Sequence, residues 1–162
     1  MAGETKERIL SAALELFAQS GYLGTSMSDI AKQLGLTKAA LYKHFPSKQS
    51  ILDQIVAHMN QLDEQRARDY QMPLARDSGA AQAYLQAPAD KIRAYTRAQF
   101  AHWTQEPFSA AFRRMLTLEQ YHDPALGQLF QTYLASGPTK YMAEVFQAAR
   151  GYVSADYLQL SN

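Results

Sequence analysis

The sequence contains no cysteine among its 162 residues. This absence excludes a disulfide framework and a thiolate-bound metal site within these residues, and it fits a reducing compartment. No apolar run approaches the roughly 20 residues that a membrane-spanning helix needs. The charged N-terminus, Met1 to Arg8, also lacks the apolar region of a signal peptide. The expected location is therefore the cytoplasm, with no membrane partner.

The residue patterns of catalysis are also missing. The four histidines show no metal-ligand spacing, and there is no glycine-rich phosphate loop. No serine lies in the context of a nucleophile elbow. The sequence therefore predicts no enzyme, no catalytic residue, no metal site and no cofactor.

Acidic residues are absent from one internal segment, which runs from Ile30 to Leu52. Within it, Thr37 and Ser47 resemble residues that cap helix starts, and each is followed directly by lysine. A helix N-terminus carries partial positive charge and favours acids. Lysine at such positions predicts an anion site, because the phosphates of a DNA duplex would supply the missing negative charge. The lysines of the segment are Lys32, Lys38, Lys43 and Lys48.

Local patterns in the first fifty residues predict three short helices and the start of a fourth. A first helix is predicted to stop at Gly21, and Ser26 with Asp29 fits a capping box for the second. Gly35 interrupts the chain before Thr37 begins the third helix, which Pro46 ends. The order helix, short turn, helix indicates a helix-turn-helix.

The third of these helices has two distinct sides. At about 100° per residue, Leu41 and Phe45 point inward. A major groove about 12 Å wide admits the opposite side closely, because alanine leaves room and Lys43 can reach base edges. Taken singly, alanines are good helix formers and lysines often decorate solvated surfaces. The prediction of DNA binding therefore depends on their combination. Opposite Leu41 and Phe45 lie Ala39, Ala40 and Lys43, with Tyr42 and His44 on the flanks and Lys38 in the first turn.

Residues 8–52 resemble the DNA-binding domain of the tetracycline-repressor (TetR) family. Matching residues are Phe17, Gly21-Tyr22, Thr25-Ser26, Asp29-Ile30-Ala31, Gly35, Leu41-Tyr42, His44-Phe45 and Lys48. The resemblance implies a phosphate contact from Thr25 or Ser26. Ala39 stands where many members carry glycine, so the closest approach of backbone to DNA can differ there. Further DNA contacts are implied for Thr37, Lys38, Tyr42, Lys43, His44 and Lys48.

The same resemblance implies a ligand-responsive transcriptional regulator, most often a repressor. Such a protein binds a palindromic operator as a homodimer and is released by a small-molecule effector. The predicted fold is all-α, with a helix-turn-helix domain over residues 1–50. A long linking helix, from Ser47 to about Arg68, would join it to an α-helical ligand-binding and dimerisation domain over residues 51–162.

After the linking helix, the sequence predicts a loop over residues 72–88 that contains one short helix. Further helices are predicted over 89–105, from Pro107 and from Pro124, with a kink near Gly137. The last helix is predicted to end near Gly151, and the remaining residues to form a connector. By analogy with the family, two further dimerisation helices are expected beyond the end; the alternative is a naturally short protein with another dimer contact.

Aromatic residues are concentrated between Tyr84 and Tyr152. An aromatic stripe at helical spacing is more often plain core than a cavity. The resemblance shifts that balance, because family members hold a small-molecule pocket among these helices. An aromatic lining favours a planar or apolar effector. The candidate ligand contacts are Tyr95, Gln99, Phe100, Trp103, Phe112, Met115, Tyr133, Met142 and Phe146.

Two other functions remain open from the sequence. One is a helical sensor or interaction module of the same fold that has lost DNA binding, and a weaker one is a small all-α enzyme. A module without DNA binding would be expected to lose the cationic edge of residues 38–48. This edge is intact, which favours the regulator.

Overall fold

The structure is a computed structural model that describes the backbone of residues 2–159 and the side chains of residues 4–151. Every regular element in these residues is an α-helix, which confirms the all-α prediction. None of these helices is both long and apolar enough to cross a membrane. The helices are α1 (Ala2–Ser20), α2 (Met27–Gln33), α3 (Lys38–His44), α4 (Lys48–Asp69), α5 (Ala80–Gln86), α6 (Ala89–Gln105), α7 (Pro107–Glu119), α8 (Pro124–Leu134) and α9 (Ser136–Gln159).

The chain divides into two compact units whose segments alternate along the sequence. The first unit comprises Met1–Leu62 and Ala101–Phe130, and the second comprises Asp63–Phe100 and Gln131–Asn162. The three N-terminal helices therefore share a unit with α7, which lies far from them in sequence. The functional division into residues 1–50 and 51–162 stays a prediction.

The core of the first unit forms where α1 packs against α7. Ile9, Ala13 and Phe17 recur every four residues on one side of α1, and all three are fully buried. Phe112 and Met115 are equally buried on α7. Enclosing a large apolar side chain contributes about 1.5–3 kcal/mol relative to leaving it exposed. This burial fixes α1 on α7, and α2 and α3 follow through the contacts of α1 with α2 and of α2 with α3.

The second unit includes the contact between α5 and α9. The rings of Tyr84 and Tyr141 meet edge to face there, with their centroids 6.0 Å apart. Two further phenols of this unit, Tyr70 and Tyr95, approach at the same centroid distance. Aromatic pairs at such distances contribute packing and leave their hydroxyl groups to find polar partners. These half-buried tyrosines accompany a small buried core of aliphatic and thioether side chains, which comprises Ala67, Met72, Ala80 and Val145.

Helix boundaries confirm most of the sequence predictions. The linking helix α4, the short helix α5 and helix α6 lie where the patterns place them, and α7 begins at Pro107. Asp123 caps α8, because its Oδ1 accepts the N–H groups of Ala125 at 2.8 Å and Leu126 at 3.1 Å. Proline then occupies the first helical position, where its missing N–H has no consequence.

Two predictions about the last helices are wrong. The kink expected near Gly137 is a break at Ala135, since α8 ends at Leu134 and α9 begins at Ser136. The earlier break puts Pro138 in the first turn of α9, where a helix needs no backbone N–H from it. The end expected near Gly151 is also wrong, because the backbone of α9 continues helically to Gln159. A glycine costs a helix about 1 kcal/mol and does not end it by itself.

Candidate nucleic-acid interface

The start of α2 is held by the predicted capping box. Ser26 Oγ accepts the Asp29 N–H at 3.2 Å, and Asp29 Oδ2 accepts the Ser26 N–H at 2.8 Å. The Ser26 hydroxyl also donates to Asp29 Oδ2 at 2.6 Å. These hydrogen bonds from Ser26, with a smaller contribution from Lys32, lower the pKa of the Asp29 carboxyl. The first turn of α2 is thus fixed by its own side chains.

The turn from α2 to α3 is closed by backbone hydrogen bonds around Gly35. Gly35 has a positive φ of 65°, which a glycine adopts without steric cost. The Leu36 N–H donates to the Ala31 carbonyl at 2.9 Å, and the Gly35 N–H donates to the Lys32 carbonyl at 3.1 Å. This pair of bonds is the common way to end a helix with a left-handed glycine. It sets the direction in which α3 leaves α2.

Helix α3 presents the side that its sequence predicts. Thr37 caps it by accepting the Ala40 N–H at 3.1 Å. Leu41 and Phe45 are buried at 0% and 3% exposure, so the inward face is confirmed. On the other side, Thr37, Lys38, Ala39, Tyr42 and Lys43 are exposed, and Ala40 and His44 are half-buried. The side chains predicted to contact DNA from α3 are therefore accessible, while the contacts themselves stay a prediction.

The N-terminal lysine of α3 lies beside an aromatic ring of the next turn. Lys38 Nζ is 6.0 Å from the centre of the Tyr42 ring, at the outer limit of a cation–π contact. No acidic residue occupies the first turn of this helix. Both side chains are exposed, so the ammonium remains available to an anion from outside.

Lys48, at the start of α4, points back into the protein. Its Nζ donates to the carbonyl oxygens of Tyr22 at 2.6 Å and Thr25 at 2.8 Å. It also lies 4.3 Å from the centre of the Tyr22 ring. Burial lowers the pKa of Lys48, and the Glu119 carboxylate opposes this shift. Lys48 thus joins α4 to the turn between α1 and α2, and a contact of its third N–H with DNA stays a prediction.

Thr25 and Ser26 occupy different surroundings at the start of α2. Thr25 is only 3% exposed, and its hydroxyl donates to the Gly21 carbonyl at 2.8 Å. Ser26 is exposed. Of these two candidates for a phosphate contact, only Ser26 presents its side chain to solvent.

Glu119, at the end of α7, is a residue of this region that the sequence predictions missed. It is 3% exposed, and its Oε1 accepts the Leu23 N–H at 3.4 Å across 96 positions of sequence. A Cβ at Gly21 would meet the same oxygen, so the buried Glu119 side chain would have to shift, and the positive φ of 79° favours glycine independently. The signal was present, because Glu119 follows Phe112 by seven residues on the buried stripe of α7.

The predicted ligand contacts fall in both compact units. In the second unit, Gln99 Nε2 donates to the Tyr95 hydroxyl at 3.2 Å, and burial raises the pKa of Tyr95. Burial also raises the pKa of Tyr133 to about 12. In the same unit Met142 is half-buried, whereas Phe100 and Phe146 are 67% and 65% exposed.

Three other predicted ligand contacts belong to the first unit. Phe112 and Met115 are fully buried in its core. Trp103 is half-buried, and its ring meets that of His102 edge to face with the centroids 5.3 Å apart. Arg113 Nε donates to the Trp103 carbonyl at 3.1 Å, which fixes the backbone at this point. Lining of a ligand pocket stays a prediction for all nine residues.

Comparison with known proteins agrees with the geometry of the first three helices. Residues 9–55 match the model of the family described as bacterial regulatory proteins, tetR family. The biofilm operon icaADBC HTH-type negative transcriptional regulator IcaR of Staphylococcus aureus is 49% identical over 51 residues, which are 32% of this chain and 27% of IcaR. The HTH-type transcriptional regulator LmrA of Bacillus subtilis is 36% identical over 84 residues, which are 51% of this chain and 45% of LmrA. The chain thus matches less than half the length of these relatives.

Two solved structures share the fold over most of the chain. A crystal structure described as that of a TetR-family transcriptional regulator from Mesorhizobium loti has a TM-score of 0.55 at 21% identity, and the match covers 93% of this chain and 71% of that one. The flavonoid-responsive regulator FrrA has a TM-score of 0.50 at 28% identity, covering 94% of this chain and 70% of FrrA. The first of these likenesses concerns the fold alone.

Proposed function

We propose that this chain, whose residues 9–55 match the model of the tetR family of bacterial regulatory proteins, is a ligand-responsive transcriptional repressor of that family. It binds a palindromic operator as a homodimer, and a small molecule releases it. The two copies of α3 enter major grooves about 34–36 Å apart, or at a multiple of that distance, as in other dimeric helix-turn-helix proteins.

The observation that carries this proposal is the exposed side of α3. Small side chains at Ala39 and Ala40 allow close approach, and Lys43 beside them is exposed. Lysine can donate to the O6 and N7 acceptors of guanine, and an alanine methyl can contact the methyl of thymine. Lys38 and Ser26, at the start of α2, are also exposed, and we assign them to the phosphates that flank these bases. In this proposal α3 carries the sequence readout, and the starts of α2 and α3 carry the positioning contacts.

We place the effector site of this proposal among the phenols of the second unit, where two buried polar atoms support it. Gln99 Oε1 and the Tyr141 hydroxyl are buried there without a hydrogen-bond partner among the described residues. A buried polar atom left unpaired costs about 1–3 kcal/mol, and a bound molecule with matching groups recovers it. Burial raises the pKa of Tyr141 to about 12, so its phenol remains a neutral donor.

The proposed effector is accordingly a planar aromatic molecule with hydroxyl groups. FrrA, which is similar to this chain, is flavonoid-responsive, and flavonoids belong to this chemical class. The effector must favour a state that spaces the two α3 helices wrongly, because a ligand shifts an equilibrium only by its different affinity for the two states. A coupling of about 1–3 kcal/mol is typical of such systems.

Selection of bound duplexes from a random pool tests DNA binding directly. We expect a palindrome to emerge, with an affinity that falls as salt rises. Lys43→Ala should then relax discrimination at one base pair of each half-site by about 1–3 kcal/mol. Lys140→Ala, which removes an exposed lysine of α9, is the matched control and should leave discrimination unchanged. Failure to enrich any sequence would contradict the proposal and favour a module without DNA binding.

Release of the selected duplex by a panel of flavonoids tests the effector. Gln99→Leu should weaken release by an active flavonoid while leaving duplex affinity unchanged, because Gln99 lies outside the helix-turn-helix. Equal release from the variant and the unmodified protein would exclude Gln99 as an effector contact.

A further inference from the structure

The first unit contains a cavity that neither DNA binding nor the proposed effector site uses. It has a volume of about 420 Å³ and lies between α4, the N-terminal part of α8 and Tyr22. Small-molecule sites in proteins have volumes of about 300–1,000 Å³, so this one can hold a compact organic ligand. Leu52 and Leu126 form a buried apolar floor, and the half-buried Val56 and Leu129 flank it.

The polar residues of this cavity carry charge of one sign only. Asp53 of α4 and Asp123, the cap of α8, both line it, and no lysine, arginine or histidine is among the described residues that do. We call these two carboxylates the acidic rim. Asp123 is partly balanced by the N–H groups of α8 that it caps. Asp53 is exposed, and its hydrogen-bond donor among the described residues is the neutral Gln49 amide, at 2.9 Å.

The acidic rim acts electrostatically on the phenol of Tyr22. Burial raises the pKa of Tyr22, and the charges of Asp123 and Asp53 raise it further. The two carboxylates therefore act on the same point of the cavity although they come from helices far apart in sequence. A positive group placed there would gain from both, and a negative group would be repelled by both.

We propose that this cavity binds a small organic cation with an apolar body, such as an aryl-alkyl quaternary ammonium. The charged group lies at the acidic rim, and the apolar body covers the floor between α4 and α8. The two carboxylates of the acidic rim repel anions. Neutral molecules bind more weakly than cations, because only their apolar contacts with the floor contribute. The residues of this site all belong to the first unit, and their charge favours a different chemical class of ligand from that proposed for the phenols.

A ligand in this cavity would contact the residues that join the α1–α2 turn to α4. The Tyr22 hydroxyl donates to Gln49 Oε1 at 3.0 Å, and both residues line the cavity. The Tyr22 carbonyl in turn accepts the hydrogen bond from Lys48. Binding of the cation thus acts on the junction that precedes the helix-turn-helix.

Titration of the isotope-labelled full chain with benzyltriethylammonium, followed by NMR, tests the proposal without DNA. We expect saturable shifts at Leu52, Val56 and Leu126, with a dissociation constant of about 1 mM or tighter for a ligand of this size. The neutral N,N-diethylbenzamide, which has a similar shape, should bind at least about fivefold more weakly. The outcome of this titration does not depend on whether the protein binds an operator.

Two isosteric variants identify the contribution of the rim. Asp53→Asn should weaken benzyltriethylammonium binding about threefold, and the double change with Asp123→Asn about tenfold. Asparagine also caps helices, so α8 keeps its start. Asp69→Asn, at the exposed end of α4, is the control and should have no effect. Absence of saturable binding, equal affinity for the neutral probe, or an unchanged double variant would each overturn the proposal.

Discussion

The first turns of α3 and α4 begin in the same way, with a hydroxyl residue followed by lysine, and their lysines occupy opposite surroundings. Lys38 is exposed beside Tyr42, and no acid of its own helix start neutralises it. Lys48 donates to two carbonyl oxygens of the turn between α1 and α2. One helix start leaves its charge available to an outside anion, and the other uses its charge inside the fold.

This difference separates recognition from support within one short segment. A lysine that satisfies backbone carbonyls holds the helix-turn-helix in position whether or not DNA is present. A lysine that remains solvated contributes little to folding and is available for phosphate. Excess positive charge in a sequence therefore indicates an anion-binding surface only after the lysines with internal partners are set aside.

The largest expected effect concerns the turn that supplies the carbonyls to Lys48. Gly21→Ala should lower the free energy of unfolding by about 2–4 kcal/mol, because the new Cβ is strained at positive φ and overlaps the buried Glu119 carboxylate. Gly35→Ala is the control, since its φ is also positive but no atom lies within 4 Å of the added Cβ. It should cost about 1 kcal/mol. If urea unfolding shows the same loss of free energy for both variants, the contact with Glu119 does not contribute to the effect at Gly21.

Substitution of the two lysines tests the comparison directly. Lys48→Met should lower the free energy of unfolding by about 1–3 kcal/mol, because two carbonyl oxygens lose a charged donor. Lys38→Met should change it by less than about 0.5 kcal/mol. In duplex binding, the order should reverse, with Lys38→Met reducing the slope of affinity against salt by about one and Lys48→Met by less. A stability loss that is the same for both variants would contradict the internal role of Lys48.

The smallest expected effect concerns α2, whose start carries an acid in place of a lysine. The pKa of Asp29 is lowered in the folded protein from an ordinary value of 3.8, so its ionised form stabilises the fold above that value. This contribution disappears as the pH falls through the lower folded pKa. Asp29→Asn should therefore destabilise the protein at neutral pH and less so in acid. A difference in unfolding free energy that stays constant from pH 7 to pH 3 would contradict the capping box.

Helix limits and the exposed side of α3 could be predicted because their causes are local. Caps, glycines and the spacing of Leu41 and Phe45 act within a few residues, and the structure has them where the sequence indicates. The prediction placed the break two residues too late, at Gly137. The break lies at Ala135 because Pro138 is then in the first turn of α9. Continuation of α9 past Gly151 was missed because glycine weakens a helix without ending it.

Contacts that join distant segments could not be predicted in the same way. Nothing near Lys48 in sequence distinguishes it from Lys38, because its partners, Tyr22 and Thr25, lie on an earlier turn. Glu119 was detectable only as an acid on an apolar stripe, and its partner at Leu23 required the packing of α7 on α1. The cavity beside Tyr22 likewise exists only once α4 and α8 are assembled.

The most direct test of the central claim, that the small exposed side of α3 enters the major groove, is the affinity of Ala39→Leu for the selected duplex. Its control is Ala94→Leu, which makes the same change at an exposed position of α6. We expect Ala39→Leu to bind about tenfold to a hundredfold more weakly, because the larger side chain prevents close approach. Ala94→Leu should bind normally, and both variants should melt at the temperature of the unmodified protein. Unchanged affinity in a folded Ala39→Leu variant would contradict the claim.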